Sequence, residues 1–247
     1  MSTMFEGISV LIPYQPDGGP RDEAFRYVKE FYRRLLPGAE VCVGDLMEHE
    51  RFSRSKAINK AAALANGDRF IIADGDLIYD PEMMKEAVRG LEDHEWIIPF
   101  TSITRLTLNN SQSILRAEIG WPLQIELETL PHDARLFVGG LNLVTRNAFE
   151  AVGGYDERFV GWGGEDEAFA YSLDTIIGKH IRLEGNLLHF WHPFVGPEGN
   201  PNYESNYALY HRYKAALGKP EEMRRLIQEK RKESDRDAIV IDRPGTE

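Results

Sequence analysis

The chain predicts an α/β fold: a mixed, mainly parallel central sheet flanked by helices. Short apolar runs alternate with amphipathic ones between residues 8 and 98, and turn signals such as Pro37-Gly38, Asn66-Gly67 and Asp80-Pro81 separate them. An apolar fraction of 42% over 247 residues is enough for one sizeable core. Ile8-Ser9-Val10-Leu11-Ile12 reads as a buried strand stopped by Pro13. Residues 21–36 have helical spacing at Phe25, Val28, Phe31, Tyr32 and Leu35. Val41-Cys42-Val43 is a second strand, and 54–66 an Ala-rich helix. Phe70-Ile71-Ile72-Ala73 is a third strand, and Asp80-Pro81 caps and opens a helix to about 92. Trp96-Ile97-Ile98-Pro99 is a fourth strand. Successive strand–helix units of this kind build a parallel sheet, and such sheets bind ligands at the carboxyl ends of their strands.

Beyond residue 100 the pattern is weaker. It predicts a helix around 112–130 interrupted near Gly120-Trp121-Pro122, a strand at Leu141–Thr145, a helix over 165–177, and short strands within 181–189. Tyr203 to Leu217 reads as a helix with Tyr203, Tyr207, Tyr210 and Tyr213 on or near one face, a stripe that reads as packing rather than as a binding shelf. Residues 221–233 are charged and helix-prone, and 234–247 read as a loose tail. The organisation is one domain over 1–218 with a helical C-terminal extension, 219–247.

Composition excludes several classes. The net charge of −11 argues against a broad surface for phosphate neutralisation, so nucleic acid is not an expected partner unless basic residues form a local groove. A single cysteine, Cys42, allows no intrachain disulfide and no thiolate zinc site. No apolar run approaches a membrane span, and the first residues lack the pattern of a secretory signal, so a cytoplasmic location is expected.

Three segments carry chemistry. Val160-Gly161-Trp162-Gly163-Gly164-Glu165-Asp166-Glu167 joins an indole, glycines and three acids in a turn that opens a helix. Glycine lets the backbone approach a ligand, and a helix start favours ionised acids. The alternative is an acidic helix start beside a core indole. Asp74-Gly75-Asp76 follows the third strand, where two carboxylates can hold a divalent cation, whereas Asp235-Arg236-Asp237 lies in the tail and reads as chance. His189-Phe190-Trp191-His192 could aim two imidazoles at one ion. Either histidine alone reads as an ordinary hydrogen-bonded one, and Asp76 tips the balance towards a mixed site. Arg51-Phe52-Ser53-Arg54-Ser55-Lys56 suits a nucleotide base and phosphates, or is a solvated helix end.

The order of these elements, from Phe52-x-Arg54-x-Lys56 and Asp74-x-Asp76 through Val138-Gly139-Gly140, Gly153-Gly154-Tyr155 and Gly161–Glu167 to His189-x-x-His192 and Asn200-Pro201, resembles the GT-A glycosyltransferases. The likeness is to the β-1,4-galactosyltransferase C-terminal region and to bacterial family 2 enzymes, over roughly residues 8 to 202. It implies a Rossmann-like GT-A domain with a nucleotide-sugar half at about 1–100 and an acceptor half at about 101–218. The donor is a nucleotide-diphosphate sugar, usually UDP-linked, with Mn2+ as cofactor and Mg2+ as second choice. The acceptor is a carbohydrate or another hydroxyl-bearing molecule.

The same resemblance assigns residues. Pro13, Tyr14, Asp45, Phe52, Arg54 and Lys56 fall on the nucleotide side, with Asp74, Gly75, Gly139, Gly140, Trp162, Gly163 and Gly164 around the donor. Asp76, His189 and His192 match the metal ligands, His189 standing where the galactosyltransferases have methionine. Glu165 and Asp166 match the acceptor carboxylates, Asp166 as base. The helix dipole favours its ionised form and the like charge of Glu165 opposes it, which leaves it ionised near neutral pH yet able to take a proton from the acceptor hydroxyl during one inverting displacement. Two departures stand out. Gln15-Pro16-Asp17-Gly18-Gly19 replaces basic residues after the first strand, and no anchor or stem is visible, which suggests a prokaryotic or viral enzyme. The alternatives are a nucleotidyltransferase-like or nucleotide-sugar-binding protein, or a transferase acting on hydroxymethylated DNA through Arg105, Arg116, Arg135 and Arg146.

Overall fold

The computed structural model describes residues 4–46, 51–193 and 197–241. Its larger sheet has the order β2-β1-β3-β8-β5-β9. The strands are β1 (Ile8–Tyr14), β2 (Glu40–Asp45), β3 (Arg69–Ala73), β5 (Trp96–Ile98), β8 (Leu141–Thr145) and β9 (Ile181–Arg182). Parallel pairing joins β1 to β2 and β3, and β5 to β9. β8 enters between β3 and β5 and runs antiparallel to both, with Ala73 opposite Leu141 and Trp96 opposite Val144. The sheet is therefore mixed and mainly parallel. Its central strands are buried on both faces, which is why β1 and β3 read as nearly continuous apolar runs rather than as alternations.

The helices follow local rules. α1 (Pro20–Leu35) has proline in its first turn, Asp22 and Glu23 just after it, and Arg33 and Arg34 at its end. It buries Phe25, Val28, Phe31 and Tyr32 against the sheet, each apolar side chain contributing about 1.5–3 kcal/mol. α2 (Arg54–Leu64) is capped by Ser53, and α3 (Pro81–Gly90) by Asp80. α4 (Leu108–Arg116) and α5 (Arg146–Ala151) begin at Thr107 and Thr145, whose side chains accept from the next turn's amides. α6 (Glu165–Ile176), α7 (Tyr203–Ala216) and α8 (Pro220–Ile241) complete the chain.

Four readings need correction. Pro13 does not stop β1. The strand continues to Tyr14, because pairing with β3 ends at Leu11 and the missing amide costs no bond on that side. The helix expected over 112–130 ends at Arg116. Pro122 cannot donate within a helix, and Asn110 satisfies the irregular stretch instead, donating to Glu126 O at 3.0 Å and accepting from Glu128 N at 2.9 Å. The tail expected from 234 is helical as far as Ile241. Met223, Leu226, Ile227 and Lys230 give α8 a buried face at helical spacing, and residues 242–247 lie outside the described residues. Finally, a second sheet was not foreseen. It has the order β4-β10-β6-β7, formed by Leu77–Tyr79, Asn186–His189, Ser102–Arg105 and His132–Asp133.

The tyrosine stripe on α7 splits. Tyr213 is buried and donates to Asp156 Oδ2 at 2.7 Å, whereas Tyr207 is 49% exposed. No helix among the described residues is long and apolar enough to cross a membrane.

Candidate active site and metal centre

Asp74, Gly75 and Asp76 bridge the two sheets, since β3 ends at Ala73 and β4 begins at Leu77. The loop is pinned at both ends. Asp74 N donates to Gly140 O at 2.9 Å, and Phe190 N donates to Asp76 O at 2.9 Å. The second bond brings the end of β10 alongside. His189 Nε2 lies 3.8 Å from Asp76 Oδ1, and His192 Nε2 lies 3.4 Å from Asp76 Oδ2. One ligand atom from each of the three residues falls within 4.8 Å of the others.

This set fits a divalent cation on two grounds. Asp76 Oδ1 is buried and has no hydrogen-bond partner, the condition of an acceptor awaiting a cation. His192 Nδ1 lies between Pro193 O at 2.8 Å, to which it can only donate, and Arg21 Nη2, from which it can only accept; in the tautomer that donates to Pro193 the Nε2 lone pair is free for a cation beside Asp76. Burial pushes the His192 imidazolium below its usual range, which keeps the ring neutral as a ligand must be. Arg21 Nη2, 3.2 Å from the same Nδ1, is a neighbour the sequence did not point to.

Arg54 is the centre of the second cluster. Ser53 caps α2 and donates to Phe159 O at 2.8 Å, while Gly161 N donates to Phe52 O at 2.8 Å. These bonds tie the start of α2 to the turn that leads into α6. Arg54, 8% exposed, then sits between two acids. Its Nε donates to Asp74 Oδ1 at 2.7 Å, and its Nη1 pairs with Asp166 Oδ1. The buried Nη2 has no hydrogen-bond partner. The Tyr155 ring lies 5.6 Å from the guanidinium, and its hydroxyl is 3.4 Å from Asp166 Oδ1.

Gly139 and Gly140 shape these acids. A Cβ on Gly139 would sit 2.0 Å from Asp166 Oδ2, so only glycine leaves the carboxylate its place. Gly164 opens α6 at φ +94, a left-handed backbone, with Phe159 and Tyr210 each 3.0 Å from where a Cβ would stand. The helix dipole is not what decides the charge of Asp166. Its side chain keeps 22% exposure but lies deep among protein atoms. Desolvation is the largest influence, and Glu165, Asp74 and Glu167 add to it against the pull of Arg54. The carboxyl is pushed up to about 8, and Glu165 is raised with it, chiefly by burial.

Other expected residues lie apart from this cluster or serve the scaffold. Tyr14 stacks on Phe25 with ring centroids 3.8 Å apart and donates to Asp22 Oδ1 at 3.0 Å, so it is engaged by the start of α1. Asp45 is exposed at the end of β2, its carbonyl held by Lys60, and Lys56 is exposed. Trp162 is 46% exposed, and its carbonyl accepts from Asn200 at 2.9 Å and Asn206 at 3.2 Å. Asn200 was named only as part of Asn200-Pro201 and Asn206 was missed, because only the pairing of distant segments shows what these buried amides hold. A cavity of about 410 Å³ lies between the start of α1, α4 and Trp191, and its lining includes neither Asp76 nor Asp166.

A family model described as glycosyl transferase family 2 matches residues 17–153. The chain belongs to that family. A second model, described as the N-terminal domain of galactosyltransferase, matches residues 124–192. Human polypeptide N-acetylgalactosaminyltransferase 14 is 24% identical over 182 residues, covering 64% of this family 2 chain but 32% of the human protein. The catalytic domain of Drosophila β1,4-galactosyltransferase 7, in complex with xylobiose, is 17% identical at a TM-score of 0.44, covering 72% of this chain and 66% of that one. Mannosyltransferase PcManGT from Pyrobaculum calidifontis, in complex with GDP-Man and Mn2+, is 16% identical at a TM-score of 0.48, covering 90% and 68%. Likenesses this distant carry no argument about the reaction of this family 2 chain.

Proposed function

We propose that this family 2 chain is a metal-dependent inverting glycosyltransferase, moving a sugar from a UDP-sugar or another nucleotide-diphosphate sugar to an acceptor hydroxyl. The observation that carries the reading is the Arg54 guanidinium, which joins the Asp74 loop to Asp166 at the start of α6. It sets a phosphate-binding cation and a carboxylate base side by side, as donor and acceptor chemistry require of one cleft.

Asp76, His189 and His192 would hold the ion, and their two imidazoles favour Mn2+ over Mg2+. When bound, it supplies positive charge for the departing diphosphate. Arg54 adds a second positive group, whose charge acts on the donor phosphates from a buried position beside the Asp74 loop. Asp166 takes the proton of the acceptor hydroxyl while that oxygen bonds the anomeric carbon. The bond from that carbon to the phosphate oxygen breaks on the opposite face, and its electron pair leaves with the nucleotide diphosphate. The configuration inverts without a covalent enzyme intermediate. Glu165 holds acceptor hydroxyls, and the exposed indole of Trp162 offers a ring face to a sugar.

A DNA acceptor gains no support. Of the four arginines it would need, Arg146 bonds Ala65 O and Gly67 O, and Arg135 pairs with Asp133 and Glu184. A mass-spectrometric screen of nucleotide sugars, with Mn2+ and without acceptor, tests the donor half of the reading. Slow, metal-dependent release of nucleotide diphosphate from one donor is expected, and an inert result across all donors would remove it.

A further inference from the structure

From the turn that holds Trp162, a line of aromatic rings continues along α7. Trp162 and Tyr203 have ring centroids 6.3 Å apart with planes 19° from parallel, and Tyr203 and Tyr207 are 5.9 Å apart at 25°. Rings stacked face to face elsewhere in the protein lie much closer, at 3.8 Å for Tyr14–Phe25 and 4.1 Å for Tyr155–Phe169. The three rings are thus offset rather than sandwiched, and Trp162 and Tyr207 are 46% and 49% exposed.

The spacing has a simple cause. Tyr203 and Tyr207 stand one i,i+4 step apart, about 6 Å along a helix axis. The strip is also held rigidly. Asn206 of α7 and Asn200 both donate to the carbonyls of Val160 and Trp162, which fastens the helix to the turn. Beyond Tyr207 the line turns inward: Tyr210, half-buried, lies 6.3 Å from Tyr207 at 31°, with Lys214 Nζ 5.6 Å from its centroid, and His211 meets Tyr207 edge-on at 4.3 Å.

We propose that Trp162, Tyr203 and Tyr207 form an acceptor platform, so that the acceptor is a glycan chain of at least two sugar rings and not a lone monosaccharide. This rests on the glycosyl-transfer reading of the site. Sugar rings present C–H faces that pack on the negative faces of aromatic rings while their hydroxyls stay in water. The strip is one ring wide and starts in the segment that carries Glu165 and Asp166, where an acceptor hydroxyl must arrive. A protein partner would need a broader apolar patch. Here the neighbours Glu204, His211 and Arg212 are polar and exposed, as suits the hydroxylated edges of a saccharide.

The test uses the full chain with UDP and Mn2+ present. Its probes are β-1,4-linked xylose, glucose and N-acetylglucosamine oligomers of one to four rings, with binding measured by calorimetry and saturation-transfer NMR. One series should gain about twofold to tenfold in affinity for each added ring up to three, the scale of an aromatic contact. Tyr207→Ala should abolish the gain for the outermost ring, and Tyr207→Phe should restore it. Affinity independent of length, a gain that survives Tyr207→Ala, or no binding in any series would overturn the platform. Donor hydrolysis by the unaltered protein, measured in parallel, judges the transfer reading separately. Hydrolysis without a length effect removes the platform alone, and a length effect without hydrolysis removes the transfer reading and with it the acceptor role, leaving a glycan-binding strip.

Discussion

Asp166→Asn separates basicity from shape more cleanly than any other change in this protein. The amide oxygen can still accept from Arg54, and the side chain still fills the space that Gly139 leaves open. What disappears is a proton acceptor. General-base assistance is worth ~10²–10⁴-fold, so the transfer rate should fall by that factor while donor affinity changes little. The pH profile gives a sharper signature. With its carboxyl pushed up to about 8 by burial, Asp166 is only about one-tenth ionised at pH 7, so kcat/KM should climb roughly tenfold to a plateau above pH 9. Protons are lost from the base as pH rises, and the ionised form is the active one, so the limb must ascend. The assay is release of nucleotide diphosphate with a saturating acceptor, from pH 6 to 10, on the parent and on the variant. The variant should lose both the rate and the ascending limb. A variant that keeps the parental rate, or a parent whose profile is already flat at pH 6, would refute the assignment.

Three further outcomes are expected. Chelation with EDTA should stop donor hydrolysis and Mn2+ should restore it; Asp76→Ala should lose metal-dependent nucleotide binding by calorimetry, whereas Asp235→Ala should behave like the parent. Gly139→Ala forces the Asp166 carboxylate aside and should lower kcat at least about fivefold, with an unaltered donor KM, because overpacking of this kind shifts side chains at a cost of about 1–3 kcal/mol. Lys230 donates to Gly154 O at 2.6 Å, and burial lowers its ammonium to about 7. Between pH 7 and 10.5 the unfolded chain therefore holds a proton that the folded one lacks, and stability rises with pH. Denaturant midpoints should show the parent gaining on Lys230→Met from pH 7 to 9.5, and parallel curves would contradict the buried-lysine account.

Residues 8–98, apart from β4, were legible because each strand and helix there is written locally, by an apolar run, a cap or a Pro-Gly stop. The acids at the end of β3 were legible for the same reason, since a strand's end fixes where the next side chains lie. The second sheet was not. Its strands are two to four residues long and pair across the chain, as Leu188 does with Ile78 and Thr104, so no single window shows them. The residues around Asp166 were half visible. The acids and glycines announce a turn, but Tyr155 beneath Arg54, Arg21 beside His192, and the Asn200–Asn206 clasp exist only after distant segments meet. The charge of Asp166 failed differently, because a helix start argues for ionisation while burial argues more strongly against it.

β8 has a role as a ruler. In the larger sheet it is the strand from the second half of the chain that lies between strands of the first half, and it begins immediately after Gly139 and Gly140. Its pairing of Leu141 with Ala73 therefore fixes, in one step, how far the Asp74 loop stands from the glycine against which Asp166 rests. A slip of one residue would move these elements about 3.3 Å past each other and turn every β8 side chain to the opposite face. The apolar core forbids that slip. The separation between leaving-group chemistry and proton-accepting chemistry is thus quantised by a hydrogen-bond ladder, and variation within this architecture has to come from the loops and from α7, since the ladder admits no intermediate setting.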